Sequence, residues 1–226
     1  MDLIVKNKKS YQLLSLGDMA RVLGLSFLLL CFVLHRAGMA ESGDARHSSP
    51  TAFIKSSCKA TRYPALCVHC LSGYASAIRQ NERQLAQTAL SVSLARARSA
   101  AAFVAKITKV RGIKAREHQG VKDCIENLGD SVDRLSQSLQ ELGRLGRAGG
   151  RRDFMWHMSN VQTWVSAALT DDNTCLDGFA GRVFDGNVKA TIQRRVNNVA
   201  QVTSNALALA NRFASRHRPS MAAEKP

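Results

Sequence analysis

Apolar positions recur along most of this chain at helical spacing. The clearest run lies between about Ala115 and Leu142, where Val121, Ile125, Leu128, Val132, Leu135, Leu139 and Leu142 follow a 4-3-4-3-4-3 spacing. That period puts one apolar seam on a helix and calls for a partner helix at a shallow crossing angle. Three further stretches read the same way. Glu82–Val110 carries Leu85, Val92, Ala95, Ser99, Ala102 and Val110 as its stripe, with Gly112 as the stop. Arg152–Phe179 carries Phe154, Met158, Val161, Val165, Ala168 and Leu169. Asn187–Ser215 carries Ile192, Val196, Val199, Ala206, Ala210 and Phe213. The breaker-rich GRLGRAGG, residues 143–150, is a turn between the second and third helices. No strand precedes it and no Gly-Lys-Ser/Thr follows, so it is not a phosphate loop. Upstream, Ala52–Ser57 makes a short helix, Tyr63-Pro64 interrupts it, and Pro64 starts a second one. The predicted fold is all-α: an up-down-up-down four-helix bundle over 82–215, preceded by a helical hairpin over 51–78.

Composition agrees with helices. Apolar residues make up 45% of the 226 and aromatics only 6%, with few β-branched runs. The N-terminus adds a compartment. Lys6, Lys8, Lys9 and Arg21 precede the apolar run Val22–Leu34, and small residues stand at Gly38 and Ala40. This is the layout of a secretory signal over 1–40, cleaved after Ala40. The apolar run has 13 residues, whereas spanning a bilayer takes roughly 20; a signal anchor is the rival reading. Residues 41–50 form a flexible mature N-terminus and 216–226 a polar tail. The formal charge is +15. Removing residues 1–40 takes away five Lys/Arg and two Asp/Glu and leaves +12. Such a charge suits an anionic partner, whether nucleic acid, a membrane surface or an acidic polysaccharide, and secretion weakens the nucleic-acid reading. No stable membrane insertion is expected once the signal is gone.

Secretion also gives the cysteines meaning. Cys31 leaves with the signal, and Cys58, Cys67, Cys70, Cys124 and Cys175 remain. An odd number in an oxidising compartment predicts two bridges and one thiol. Cys58 and Cys67 flank the bend of the hairpin and can staple it. Counted from Ala148 in the turn, Cys124 lies 24 residues before and Cys175 27 after. At about 1.5 Å per residue both stand roughly 36–40 Å from the turn, level on antiparallel neighbours. The expected pairs are therefore Cys58–Cys67 and Cys124–Cys175. Cys70 is the free thiol, read as buried in preference to a link between two molecules.

Catalytic constellations are lacking. Cys67-Val-His-Cys70 has the spacing of a metal or redox pair, but it has neither a second ligand pair nor a βαβ context. His118 and His157 read as isolated surface histidines, and Asp171, Asp172 and Asp177 as a solvated helix face rather than paired carboxylates or calcium ligands. No serine elbow or dinucleotide fingerprint occurs. Neither a catalytic residue, a cofactor nor a metal is expected. No Asn-x-Ser/Thr sequon is present, so glycosylation is not expected.

Three quoted stretches carry a family resemblance: Cys58-Lys-Ala-Thr61-Arg-Tyr63-Pro64-Ala-Leu-Cys67, Asp123-Cys124, and Ser166-Ala-Ala-Leu-Thr170-Asp171 leading to Thr174-Cys175. Together they resemble the plant invertase/pectin methylesterase inhibitor family, most closely pectinesterase inhibitors of the 21 kDa-protein type, over about Thr51–Phe213. The resemblance implies a secreted, apoplastic, non-enzymatic protein with the same two bridges and a free fifth cysteine. It also implies binding to pectin methylesterase one-to-one, covering the enzyme's pectin-binding cleft with the middle bundle helices. The positions implied for contact are Glu126, Asn127 and Asp130 on the second bundle helix and Thr174 and Asp177 on the third; each also reads as a solvated polar residue. Invertase inhibitors of the family carry Pro-Lys-Phe before the third bundle helix. Here Arg152-Asp153-Phe154 keeps only the Phe, which favours pectin methylesterase over acid invertase as target. The remaining alternative is a non-inhibitory wall protein held on anionic pectin by weak electrostatic association. No catalytic domain is expected after Phe213.

Overall fold

The computed structural model describes residues 49–109, 115–145, 150–179 and 187–217. The signal segment 1–40, most of the mature N-terminus, Val110, Gly112, residues 146–149 of the 143–150 turn and nearly all of the tail lie outside the described residues.

The hairpin comes first. Helix α1 (Pro50–Cys58) starts where the Ser49 hydroxyl accepts from Ala52 N–H at 3.2 Å, with Pro50 in the first turn. Helix α2 (Pro64–Leu71) again opens on a proline, continues through a 3₁₀ turn at Ser72–Tyr74 and ends in the single turn α3 (Ala75–Ile78). Arg79 and Gln80 follow with φ of 48° and 61°. Two consecutive left-handed residues that are not glycine cost on the order of 1 kcal/mol each, and they redirect the chain into the cap of the next helix. There the Asn81 carboxamide oxygen accepts from Gln84 N–H at 2.9 Å.

The bundle consists of α4 (Glu82–Ile107), α5 (Ala115–Arg144), α6 (Arg151–Asp177) and α7 (Asn187–Arg216). Each packs on its sequence neighbours and α4 also packs on α7, which closes an up-down-up-down square. The hairpin lies on the α4–α7 side. Asn205 of α7 clips it there, donating to Tyr63 C=O at 2.9 Å and accepting from Tyr63 N–H at 3.0 Å. Arg83 reaches from α4 to the last turn of α5, donating to the carbonyls of Leu142 at 3.0 Å and Gly143 at 3.3 Å, which satisfies acceptors that a helix end leaves open. Glu82 ties the start of α4 to the end of α7 through Arg216 at 2.6 Å and Arg212 at 3.3 Å.

The core runs the length of the bundle, from Leu85, Leu90 and Val104 through Leu128, Leu135 and Leu142 to Val161, Val165, Val196 and Phe213. Two predicted stripes are shifted. On α4, Ala95, Ser99 and Ala102 are exposed, and the inward face is Ala86, Ala89, Leu90, Ser93, Ala97, Ala100, Val104 and Ile107. This helix is so rich in Ala and Ser that apolarity alone does not mark its phase; close helix approach selects the alanines that face α5 and α7. On α5 the deepest line is Val121, Cys124, Leu128, Ser131, Leu135, Ser138 and Leu142, while Ile125, Val132 and Leu139 flank it half-buried.

The structure holds disulfides between Cys58 and Cys67, Cα atoms 5.7 Å apart, and between Cys124 and Cys175, 4.4 Å apart. Closing the 51-residue separation of the second is worth about 4 kcal/mol in the chain-entropy account. Cys70 is free and half-buried rather than buried, beside Arg96. Burial pushes its thiol up despite that guanidinium, which keeps it protonated and unreactive near neutral pH.

Candidate interaction face on the bundle

Helices α5 and α6 form the side of the bundle away from the hairpin. The Cys124–Cys175 bridge fixes their relative height, so the five candidate positions can be placed along them. On α5, Glu126, Asn127 and Asp130 lie about 3, 4.5 and 9 Å beyond Cys124 along the axis, and on α6 Thr174 and Asp177 lie within about 3 Å of Cys175. Glu126, Asp130, Thr174 and Asp177 are exposed and Asn127 is half-buried. The helix itself orders two of them: Asn127 donates its amide to Asp123 C=O at 2.8 Å, and the Thr174 hydroxyl donates to Thr170 C=O at 2.9 Å. Asp177 ends α6, leaving its carboxylate at the rim.

Charge is sorted between the two sides. Helices α5 and α6 hold ten Asp/Glu against six Lys/Arg, whereas α4 and α7 hold nine Lys/Arg against one Asp/Glu, Glu82. On the acidic side, Arg134 of α5 donates to Asp171 of α6 at 2.6 Å. Burial raises the Asp171 carboxyl, Arg134 pulls it back, and the neighbouring Asp130 adds to the rise. The carboxylates of the two helices thus sense one another across the seam.

Two expectations about this face need correction. The Asp171–Asp172 pair is not a solvated acidic patch. Asp172 is completely buried and reaches the centre of the bundle, where Thr203 of α7 lies 3.2 Å from its Oδ2 and Ser93 of α4 lies 2.7 Å from the Thr203 hydroxyl. Ser131 of α5 faces the same carboxyl, yet neither Ser131 Oγ nor Asp172 Oδ1 finds a well-formed hydrogen-bond partner. All four bundle helices contribute to this polar layer. Burial drives the Asp172 carboxyl up to about 7, against the Ser131 and Thr203 hydroxyls and with the repulsion of Asp171. The geometry suits the neutral acid. Thr203 has one proton and an acceptor for it in Val199 C=O at 2.9 Å. Its oxygen is then free to accept from a protonated Asp172. The other correction is His157, which is not isolated: its Nδ1 lies 2.7 Å from Glu141 Oε2, and Asn160 donates to the same oxygen at 3.1 Å. Burial would raise the Glu141 carboxyl, but His157, Asn160 and Arg144 together outweigh it and hold it below its ordinary value. Both clusters are structural joints between helices.

The sequence reasoning missed one surface residue. Trp156 is 67% exposed near the start of α6. It stands on the outward line with Ser159, Thr163, Ser166, Thr170, Thr174 and Asp177, opposite the apolar stripe through Met158 and Val161. Its position two residues from Phe154, out of phase with that stripe, was the available signal. An exposed tryptophan is the kind of side chain that anchors protein interfaces. No group of three His, Cys, Asp or Glu stands close enough to hold a metal among the described residues, and no described helix is long and apolar enough to cross a membrane.

This all-helical, twice-bridged frame has known counterparts. The chain matches the family described as Plant invertase/pectin methylesterase inhibitor over residues 52–209. The chain belongs to that family. It is 59% identical over 179 residues to pectinesterase inhibitor 9 of Arabidopsis thaliana, covering 78% of this chain and 88% of the relative. It is 51% identical over 194 residues to the 21 kDa protein of Daucus carota, covering 86% and 96%. The fold agrees with the crystal structure of mutant form A of a pectin methylesterase inhibitor from Arabidopsis, with a TM-score of 0.56 at 21% identity over 73% of this chain and 97% of that one.

Proposed function

We propose that this protein is a secreted inhibitor of pectin methylesterase that binds the enzyme one-to-one and covers its pectin-binding cleft with the α5–α6 face. The observation that carries the reading is the close relationship to proteins named pectinesterase inhibitors over most of both chains. The bundle supplies a physical means. Helices of 30 and 27 residues, locked in register by Cys124–Cys175 and by Arg134–Asp171, present a preformed convex surface. Little ordering cost accompanies its docking into a groove. Glu126, Asn127, Asp130, Thr174 and Asp177 supply polar contacts, and Trp156 an apolar anchor. Inhibition is then occlusion, and the protein performs no chemistry of its own. Its site of action is the apoplast, reached through the signal over 1–40.

Assaying pectin methylesterase and acid invertase side by side with the purified mature chain tests this. Loss of pectin methylesterase activity alone is expected. Loss of invertase activity alone would transfer the reading to the other target of the family, and two unaffected enzymes would leave only a non-inhibitory wall protein.

A further inference from the structure

The basic side of the bundle has no part in the α5–α6 face. The hairpin covers one half of the α4–α7 pair and leaves the other half open. There, between the two helices, lies a groove of about 570 Å³, within the size range of ligand sites. Its floor is Ala100 and Val199, both buried, and its walls carry Arg96, Arg194, Arg195, Asn197, Asn198 and Gln201. Small residues at Ser99 and Ala100 leave the trough that larger side chains would fill. We propose that this groove binds the carboxylates of a polyuronate chain, so that one side of the bundle holds the polysaccharide while the other meets the enzyme. This deepens the inhibitor reading and rests on it for the choice of polymer: hydrolysis of pectin methyl esters leaves uronate carboxylates.

The chemistry of the lining fits that ligand. Arg96, Arg194 and Arg195 make no ion pair with a carboxylate among the described residues, whereas Arg134, Arg144, Arg212 and Arg216 do. Glu82, the single acidic residue of α4 and α7, is occupied by Arg212 and Arg216. Each open guanidinium is a planar fork that matches a carboxylate with two parallel hydrogen bonds. Two of the three are held in place by neighbouring side chains. Arg96 donates to the Asn198 side chain at 3.4 Å and lies beside the Cys70 thiol, and the Arg195 guanidinium carbon lies 4.0 Å from the centre of the Phe103 ring, over its face. Between the arginines, three carboxamides and the Ser99 hydroxyl offer donors and acceptors to sugar hydroxyls. The span from Arg194 to Gln201 is about 10 Å of helix, room for an extended chain rather than a single anion. Single-stranded nucleic acid is disfavoured, because base stacking needs an open aromatic face and Phe103 is already covered.

Fully de-esterified pectin, fully methyl-esterified pectin and poly-glutamate, each titrated into the mature protein without enzyme, test the proposal. De-esterified pectin should bind at low salt, weaken steeply as salt rises, and exceed both other polymers. The R96Q/R194Q/R195Q variant should lose at least tenfold in affinity, and R96Q/R194Q, which keeps the Arg195–Phe103 stack, severalfold. K55Q/K59Q/R152Q removes equal charge elsewhere and should bind nearly as the parent does. Equal losses in the two triple variants would reduce the effect to net charge and overturn the groove. Equal binding of the esterified polymer, or tighter binding of poly-glutamate, would overturn the ligand. Inhibition of pectin methylesterase measured on the same preparations should be unchanged by the groove variants. Polymer binding that persists where inhibition is absent sinks only the inhibitor reading, and inhibition without groove-dependent binding sinks only this proposal.

Discussion

Asp172 makes the stability of this fold depend on pH in a direction that can be calculated. Its carboxyl titrates at about 7 in the folded chain and near 3.9 in an unfolded one. The folded value is raised, so the contribution is fully present below about pH 4. It is lost as pH climbs, at up to about 1.4 kcal/mol per unit, until the folded carboxyl has ionised near 7. The whole window spans roughly 4 kcal/mol, and no solvent discount applies because the side chain is completely buried. This contribution therefore favours an acidic medium over a neutral one. Asp172→Asn replaces the carboxyl with a neutral group of the same shape that can still hydrogen-bond Thr203. Urea unfolding of both proteins with the disulfides intact, at pH 4.5, 6 and 8, isolates the effect, since the histidines are common to both and cancel. Glu141 is depressed, so its own contribution is lost only as pH falls below the ordinary carboxylate range, outside this comparison. Relative to the parent, the Asn variant should gain by about 2–4 kcal/mol between pH 4.5 and pH 8. A difference between the two proteins that stays constant over that range would refute the buried, neutral carboxyl.

Other outcomes follow from other joints. Replacing Cys124 and Cys175 together by Ala should lower stability by up to about 4 kcal/mol and weaken inhibition through loss of register, read by thermal unfolding beside the enzyme assay. Asp177→Ala, at the exposed end of α6, should weaken inhibition severalfold with an unchanged melting curve. A lowered melting temperature would instead mark Asp177 as structural. Asn205→Ala removes both hydrogen bonds that clip the hairpin to α7 and should cost about 2–3 kcal/mol, a fall of roughly 5–10 °C by calorimetry.

Helices and the bundle were legible because Leu and Val on α5 and α7 repeat at the helical period, and prolines 50 and 64 and the 143–150 glycines punctuate the chain. What escaped was polar. Ser93, Ser131, Asp172 and Thr203 each look like surface residues in their own stretch. Their partners come from other helices, 110 residues away for Ser93 and Thr203 and 31 for Asp172 and Thr203. Only the packed bundle brings them together into one buried polar layer. The phase of α4 was lost for a related reason: with Ala and Ser spread around the whole helix, burial is decided by which small residues the neighbouring helices approach. The Cys124–Cys175 bridge between α5 and α6 followed from counting residues in both directions from a turn. The basic groove was invisible as a unit, because Arg96 and Arg194 stand 98 residues apart and meet only where α4 packs on α7.

The central claim is that the α5–α6 face occludes pectin methylesterase. Titrating a fixed amount of that enzyme with the mature protein at mildly acidic pH tests it most directly. Activity should fall linearly to an end point at one protein per enzyme, and the fall should be shallower for a variant combining Asp130→Ala, Trp156→Ala and Asp177→Ala. Full enzyme activity at excess protein, or a triple-variant titration curve that superimposes on the parent's, would contradict the account.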